Sequence, residues 1–266
     1  MPKSTTHLPS KSKELRDGTI RISGIPGLPE IRANDNLSRL IVEAARVARI
    51  NFESGDILVI AQKIVSKAEG RTVALSTVTP SQEALSLSAT VQNDPRMIEV
   101  ILRESRRIVR KGPRALIVET HHGFVCANAG VDRSNVPGEE AVTLLPQDPD
   151  SSARRLAAAL RKRTGKRLAV IISDTFGRPW RLGLTNVAIG AAGVPALVDL
   201  RGAKDRSGKT LHATILAVAD ELAAAAGLAM GKNAGLPVVL IRGYRYRPAR
   251  QNAASIIRPA HEDLFR

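Results

Sequence analysis

Leu168-Ala169-Val170-Ile171-Ile172 is an unbroken apolar run that passes straight into Ser173-Asp174-Thr175-Phe176-Gly177-Arg178-Pro179-Trp180-Arg181. An all-apolar run rich in β-branched residues reads as a strand covered on both faces, as central strands of α/β sheets are. Such sheets place ligand chemistry beyond the carboxyl ends of their strands, which makes the polar stretch from Ser173 the first candidate site. Working outward, Asp56-Ile57-Leu58-Val59-Ile60-Ala61 is a second buried strand and Val238-Val239-Leu240-Ile241-Arg242 a last one, with Asn186 to Ala191 a further strand candidate. Ile20-Arg21-Ile22 alternates as a short strand, followed by the Gly- and Pro-punctuated loop Gly24-Ile25-Pro26-Gly27-Leu28-Pro29.

Helices are expected between these strands. Leu37, Leu40, Ile41, Ala44 and Ala48 share one helical face, with Asn34-Asp35-Asn36 as candidate N-caps. Two helices are expected with Pro at their first positions, after Thr79 and after Asp94, the second turning Met97, Ile98, Ile101 and Leu102 inward. Ala-rich helices are expected from Asp150-Ser151 to near Gly165 and from about Leu211 to Leu228. Strands at 115–119 and 124–127 flank a hairpin turn at His121-His122-Gly123, and Asn128 to Asn135 reads as a long polar loop. The fold class is α/β (mixed α+β), with mixed sheets flanked by helices and two lobes in one compact unit. Residues 1–18 read as a flexible basic arm, 19–247 as the folded domain and 248–266 as a basic, weakly ordered tail.

Lys and Arg exceed Asp and Glu by 40 − 25 = 15 among 266 residues, which favours an anionic partner. Aromatics are 3%, too few for the stacking platform of a single-strand nucleic-acid binder. A lone Cys126 excludes an internal disulfide and a multi-cysteine zinc site. Met1 to Gly18 lacks the apolar segment of a secretory signal, and nothing approaches the roughly 18 apolar residues of a membrane span, so a cytoplasmic protein is expected.

Asp174 and Thr175 offer oxygen ligands of the kind that suits Mg²⁺ or Mn²⁺; a turn cap is the plainer alternative. Asp132 and Asn135 in the polar loop could together face one phosphate-bound metal or form an Asx-turn. Lys63 and Lys67 at a strand end are phosphate ligands or ordinary surface lysines, and Arg178 and Arg181 suit bidentate phosphate or carboxylate binding. The chain has neither a P-loop nor a Gly-x-Gly-x-x-Gly after a strand, so any nucleotide site is of a less common design.

Four segments in order change this picture. Gly24-Ile25-Pro26-Gly27-Leu28, Ala61-Gln62-Lys63-Ile64-Val65-Ser66-Lys67-Ala68-Glu69-Gly70, Ala127-Asn128-Ala129-Gly130-Val131-Asp132-Arg133-Ser134-Asn135 and Ser173 to Arg181 together resemble the coenzyme F420-0:γ-glutamyl ligase family (CofE-like) over roughly residues 20–247. The resemblance implies a ligase that uses GTP and Mg²⁺ or Mn²⁺, with a monovalent cation such as K⁺ among the implied ions, to add L-glutamate to coenzyme F420-0 through an acyl phosphate. It implies that Asp132 and Asp174 bind metal and that Thr175 binds a second one. It also implies guanine-nucleotide contacts from Ile25, Pro26, Gly27, Leu28, Gln62, Lys63, Lys67, Asn135, Met230, Gly231, Lys232 and Asn233, and an intertwined homodimer. The sequence departs from the family pattern at Lys232-Asn233-Ala234, where an acidic residue or Gln is expected. Two other readings stand beside it: a related nucleotide-dependent ligase or phosphotransferase with another anionic carboxylate acceptor, and a nucleic-acid-binding protein whose binding would weaken steeply with salt. The resemblance implies no nucleic-acid partner and no membrane.

Overall fold

The computed structural model describes residues 18–113, 115–136, 139–231 and 234–263, with backbone only at 134–136 and 139. In chain order the elements are β1 (Arg21–Gly24), α1 (Leu37–Val47), β2 (Ile57–Ala61), α2 (Gln62–Ala68), β3 (Thr72–Ala74), α3 (Gln82–Val91), α4 (Pro95–Arg103), β4 (Ser105–Gly112), β5 (Ala115–Thr120), β6 (Val125–Ala127), β7 (Asp132–Val136), β8 (Glu139–Thr143) and α5 (Pro149–Thr164), then β9 (Ala169–Arg178), β10 (Arg181–Ala192), β11 (Val198–Asp199), β12 (Ile215–Leu216), α6 (Val218–Met230) and β13 (Val238–Arg242). The architecture is mixed α/β, as the alternation of apolar runs and amphipathic stretches predicts.

The main sheet has the order β1-β13-β2-β9-β10. Only β2 and β9 run parallel; the other pairs are antiparallel. Continuous apolar strands need cover on both faces, and they have it. Leu58, Ile60, Val170, Ile172, Val238 and Leu240 pack against α1 and α5 on one side. Ile57, Val59, Ala169, Ile171, Val239 and Ile241 pack against α6 on the other. A separate core forms the second lobe, where Leu87, Ile98, Ile101, Leu116, Val118 and Val142 bring α3 and α4 onto the small sheets β3-β8-β7 and β4-β5-β6. None of the helices among the described residues is long and apolar enough to cross a membrane.

Several local expectations shift. Asn36 is the true cap of α1, accepting from Arg39 N. Pro80 lies outside α3, because Ser81 takes the cap and accepts from Ala84 N at 3.2 Å. Pro95 does open α4 behind an Asp94 cap. Asp148, not Asp150, caps α5, and Asp150 is buried instead. The helix expected from Leu211 begins at Val218, the residues before it pairing as β11 and β12. The polar stretch from Asn128 is no simple loop: a turn at Asn128–Gly130 leads into β7, where Asp132 and Arg133 are exposed. The stretch after Ser173 is not a loop either, because β10 pairs with β9 as far as Arg178 and only Pro179 and Trp180 are left at the tip. Residues 251–254 of the expected tail are docked on the fold. Ala253 is fully buried, Ala253 N and Ala254 N donate to the Asp150 carboxylate at 2.8 and 3.2 Å, and Gln251 Oε1 accepts from Ala196 N at 3.0 Å. The arm expected at the N-terminus lies outside the described residues except for Gly18.

Candidate active site

Strand pairing gathers most of the singled-out segments at one end of the main sheet. Ile25 N donates to Val238 O and Ala61 N to Pro237 O, each at 2.8 Å, so the loop after β1, the start of β13 and the end of β2 lie side by side. Ala61 pairs with Ser173, which brings Gln62 and Lys63 alongside the Asp174 region of β9. Ile25 is buried in the core and can offer a ligand only its backbone, whereas Pro26 and Gly27 are exposed. Gln62 is also buried, its Oε1 accepting from Ser66 Oγ at 2.8 Å. Lys67 pairs with Glu30 just beyond the loop, and Lys63 Nζ lies 2.6 Å from Asp132 Oδ2.

Asp132 owes its place to an unusual turn. Asn128, Ala129 and Gly130 all have left-handed backbone, with φ of 53°, 55° and 68°. For the two residues with a Cβ this costs on the order of 1 kcal/mol each, so the surroundings must enforce it. Asn128 Oδ1 accepts from Leu116 N at 3.0 Å, and Ala129 is buried in the second core. At Gly130 a Cβ would come within 2.8 Å of the Leu145 side chain. Strain held in this way is concentrated at functional positions.

Asp174 and Thr175 are neighbours on an extended strand and therefore point to opposite faces. Asp174 lies toward β6: burial and then the Asp174 charge push the Cys126 thiol up to about 12. That thiol is neutral and inert, as its apolar surroundings predict. On the same face Phe176 meets Phe124 edge-on at 6.2 Å between ring centroids, and His122 stacks on Phe124 at 5.7 Å. Thr175 faces α6, its Oγ1 donating to Asn186 Oδ1 at 3.2 Å, while Asn186 Nδ2 donates to Met230 Sδ at 3.6 Å.

The remaining positions divide. Met230 is buried in the α6 core and Gly231 ends the helix with φ of 54°; Lys232 and Asn233 lie outside the described residues, as does the side chain of Asn135. Arg178 and Arg181 face each other across the tip of the β9–β10 hairpin, where Arg178 Nη2 donates to Leu182 O at 2.9 Å. Four residues of extended strand put that tip about 13 Å from Asp174. Trp180, Leu182 and Leu184 are exposed around it, Leu182 at 99%.

The model of the F420-0:Gamma-glutamyl ligase family matches residues 27–243, which takes in every element from α1 to β13. The chain belongs to the F420-0:γ-glutamyl ligase family. Among its relatives, a coenzyme F420:L-glutamate ligase of Methanothermobacter thermautotrophicus is 46% identical over 250 residues, spanning 93% of this chain and 99% of its own length. Proteins of the same name from Methanopyrus kandleri and Methanocaldococcus jannaschii are 47% and 44% identical, over 93% and 87% of this chain and 98% and 90% of their own.

The oxygen donors at Asp132, Asp174 and Thr175 are of the kind a hard cation takes. Among the described residues no three His, Cys, Asp or Glu side chains converge as a self-sufficient metal cage. A hard cation here would be held by Asp132, Asp174 or the Thr175 hydroxyl singly, and by oxygens from a bound phosphate and water. That is the usual way proteins hold Mg²⁺. Two residues of this site carried no sequence signal: Glu30, which pairs with Lys67, and Asn186, which opened a strand candidate and is brought to Thr175 only by the hairpin register.

Proposed function

We propose that this protein joins L-glutamate to coenzyme F420-0 in a GTP- and divalent-metal-dependent reaction. The observation that carries the proposal is the convergence of the Ile25–Leu28 loop, Lys63, Asp132, Asp174 and Thr175 at one end of the main sheet, in a chain whose relatives bear the name coenzyme F420:L-glutamate ligase.

A carboxylate is a poor acyl donor because its leaving group would be oxide. Transfer of the GTP γ-phosphoryl to a carboxylate oxygen of the acceptor, with GDP departing, gives an acyl phosphate. The amine of glutamate then attacks the acyl carbon, phosphate leaves with the bridging oxygen, and the amine loses a proton as the amide forms. Lys63 supplies a point charge for a phosphate oxygen, within reach of the carboxylate it pairs with. The exposed backbone of Pro26 and Gly27 admits the nucleotide closely. One Mg²⁺ or Mn²⁺ at Asp132 and Asp174, and a second at the Thr175 hydroxyl on the other face of β9, would neutralise charge on the phosphates. The +15 balance raises the local concentration of GTP and of an anionic acceptor in a cytoplasmic setting.

Arg178 and Arg181 stand too far from Asp174 to serve the same phosphate, so we assign them to a distal anionic group of the acceptor. The apolar tip around them, Trp180, Leu182 and Leu184, fits burial against a second copy in a homodimer.

The test is a mass-spectrometric assay of the purified protein with F420-0, L-glutamate, GTP and Mg²⁺ or Mn²⁺. A ladder of products, each heavier by one glutamyl residue and absent with Asp174→Ala, is the expected result. Folded protein that binds GTP but adds no glutamate would overturn the acceptor assignment in favour of another anionic carboxylate.

A further inference from the structure

Thr175 and Asn186 sit opposite each other in the antiparallel register of β9 and β10, on the face turned toward α6. The hydroxyl donates to Asn186 Oδ1 at 3.2 Å. The other end of the amide is engaged as well, Nδ2 donating to the weak acceptor Met230 Sδ at 3.6 Å. The helix above makes room for it. At Gly227 a Cβ would lie 3.0 Å from Asn186 Cγ and 3.2 Å from Nδ2, closer than a side chain there is normally tolerated. Glycine inside a helix is less favourable than alanine, so the α6 sequence accepts that loss at the position facing the amide.

This arrangement has a chemical sense. A hydroxyl that offers a lone pair to a cation must direct its proton elsewhere, and a neutral amide oxygen accepts it without adding charge. An amide whose oxygen is aimed by a bond at its other end sets that direction before any ligand arrives. We propose that Asn186 is a positioning residue: it takes the Thr175 proton, aligns the hydroxyl oxygen for a divalent cation, and is itself set by Met230 and Gly227. The inference rests on the reading of Thr175 as a metal ligand given above. It adds a residue of β10 and one of α6 to the machinery of the site.

The experiment is a Mn²⁺ titration in the presence of GDP, followed by the electron paramagnetic resonance signal of free Mn²⁺. Wild type is compared with Asn186→Ala, Asn186→Asp, Thr175→Val and the Thr175→Val/Asn186→Ala pair, each checked for folding by thermal melting. Asn186→Ala is expected to weaken Mn²⁺ binding about tenfold, the usual scale for removing a partner of a metal ligand. Asn186→Asp keeps an acceptor oxygen for the hydroxyl and should recover most of that loss. The double variant should bind no more weakly than Thr175→Val, because both changes act through one oxygen.

Gly227→Ala provides a variant that keeps both polar groups. Its added methyl displaces the amide while favouring the helix, so weaker Mn²⁺ binding at undiminished melting temperature is the expected pattern. If Thr175→Val weakens Mn²⁺ binding while Asn186→Ala and Gly227→Ala bind like wild type, the positioning role is overturned and the metal reading stands. If Thr175→Val itself binds like wild type, the metal reading of Thr175 fails and takes the inference with it. An Asn186→Ala protein that melts lower but binds Mn²⁺ normally would show a purely structural contact and would also overturn the proposal.

Discussion

Lys63 at the start of α2 and Asp132 at the start of β7 join the two lobes through a 2.6 Å contact between Nζ and Oδ2. Both side chains are about half exposed, at 42% and 56%. Such a pair contributes at most about 1 kcal/mol to stability. Lys63→Met should therefore leave the melting temperature nearly unchanged, and, on the GTP-dependent reaction proposed above, it should lower kcat/KM for GTP by tenfold or more. Steady-state kinetics beside a thermal melt separates the two effects; a large loss of stability with unchanged kinetics would make the contact structural.

Arg242 presents the opposite case. Its Nε and Nη2 donate to the two oxygens of Asp56 at 2.8 and 2.7 Å, and Nη1 donates to Glu53 at 2.7 Å. Asp56 is 2% exposed, so removing the guanidinium strands a buried carboxylate. Arg242→Ala should cost about 3–5 kcal/mol, read from urea unfolding, and Arg242→Lys should recover only part because it lacks the fork.

Gln92 ends α3 in the left-handed conformation with φ of 53°, exposed to solvent. Gln92→Gly removes that backbone cost and should stabilise the protein by about 0.5–1 kcal/mol, after allowance for the looser unfolded chain. For a chain of this size the melting temperature should rise by roughly 2–4 °C per kcal/mol.

Acid should loosen the second lobe first. The Arg96 guanidinium holds the Asp94 carboxyl below its usual range, and the hydrogen bond from Ser81 does the same for Glu99. A depressed carboxyl stabilises the fold above its unfolded value, and the gain is lost as pH falls through the folded value. Burial pushes the Asp220 carboxyl the other way, so its contribution is present in acid and lost as pH rises through its raised folded value. Hydrogen exchange at about pH 3 against neutral pH should show α3 and α4 opening before α6. Asp220→Asn should stabilise the protein near neutral pH and leave it nearly unchanged in acid.

What was legible in the chain was whatever local chemistry decides. Leu168–Ile172 and Val238–Arg242 have only one environment that accepts five apolar residues in a row, and Asp94-Pro95 carries its own helix-start chemistry. The seven residues of α2 are too few to display a period behind a strand. Arg106, Arg107, Arg110 and Lys111 hide the strand pattern of β4, whose cationic side chains reach solvent or pair with Glu119. The site was legible only as segments. That Lys63 meets Asp132, or that Asn186 meets Thr175, follows from sheet order and register, which no stretch of local sequence encodes.

The strand order β1-β13-β2 has a consequence for how the molecule is made. On a ribosome, β1 and β2 emerge early but have no direct pairing with each other; the strand that joins them is the last of the sheet. Residues 72–144, by contrast, form the contiguous second lobe and can condense while the rest is still being translated. Closure of the main sheet waits for Val238–Arg242, and the Asp150 carboxylate waits longer still for the amides of Ala253 and Ala254. The nascent chain thus keeps an open slot in the main sheet until Val238–Arg242 has been made. Closure of that sheet follows the synthesis of β13, and until then the slot is the surface a chaperone would have to guard.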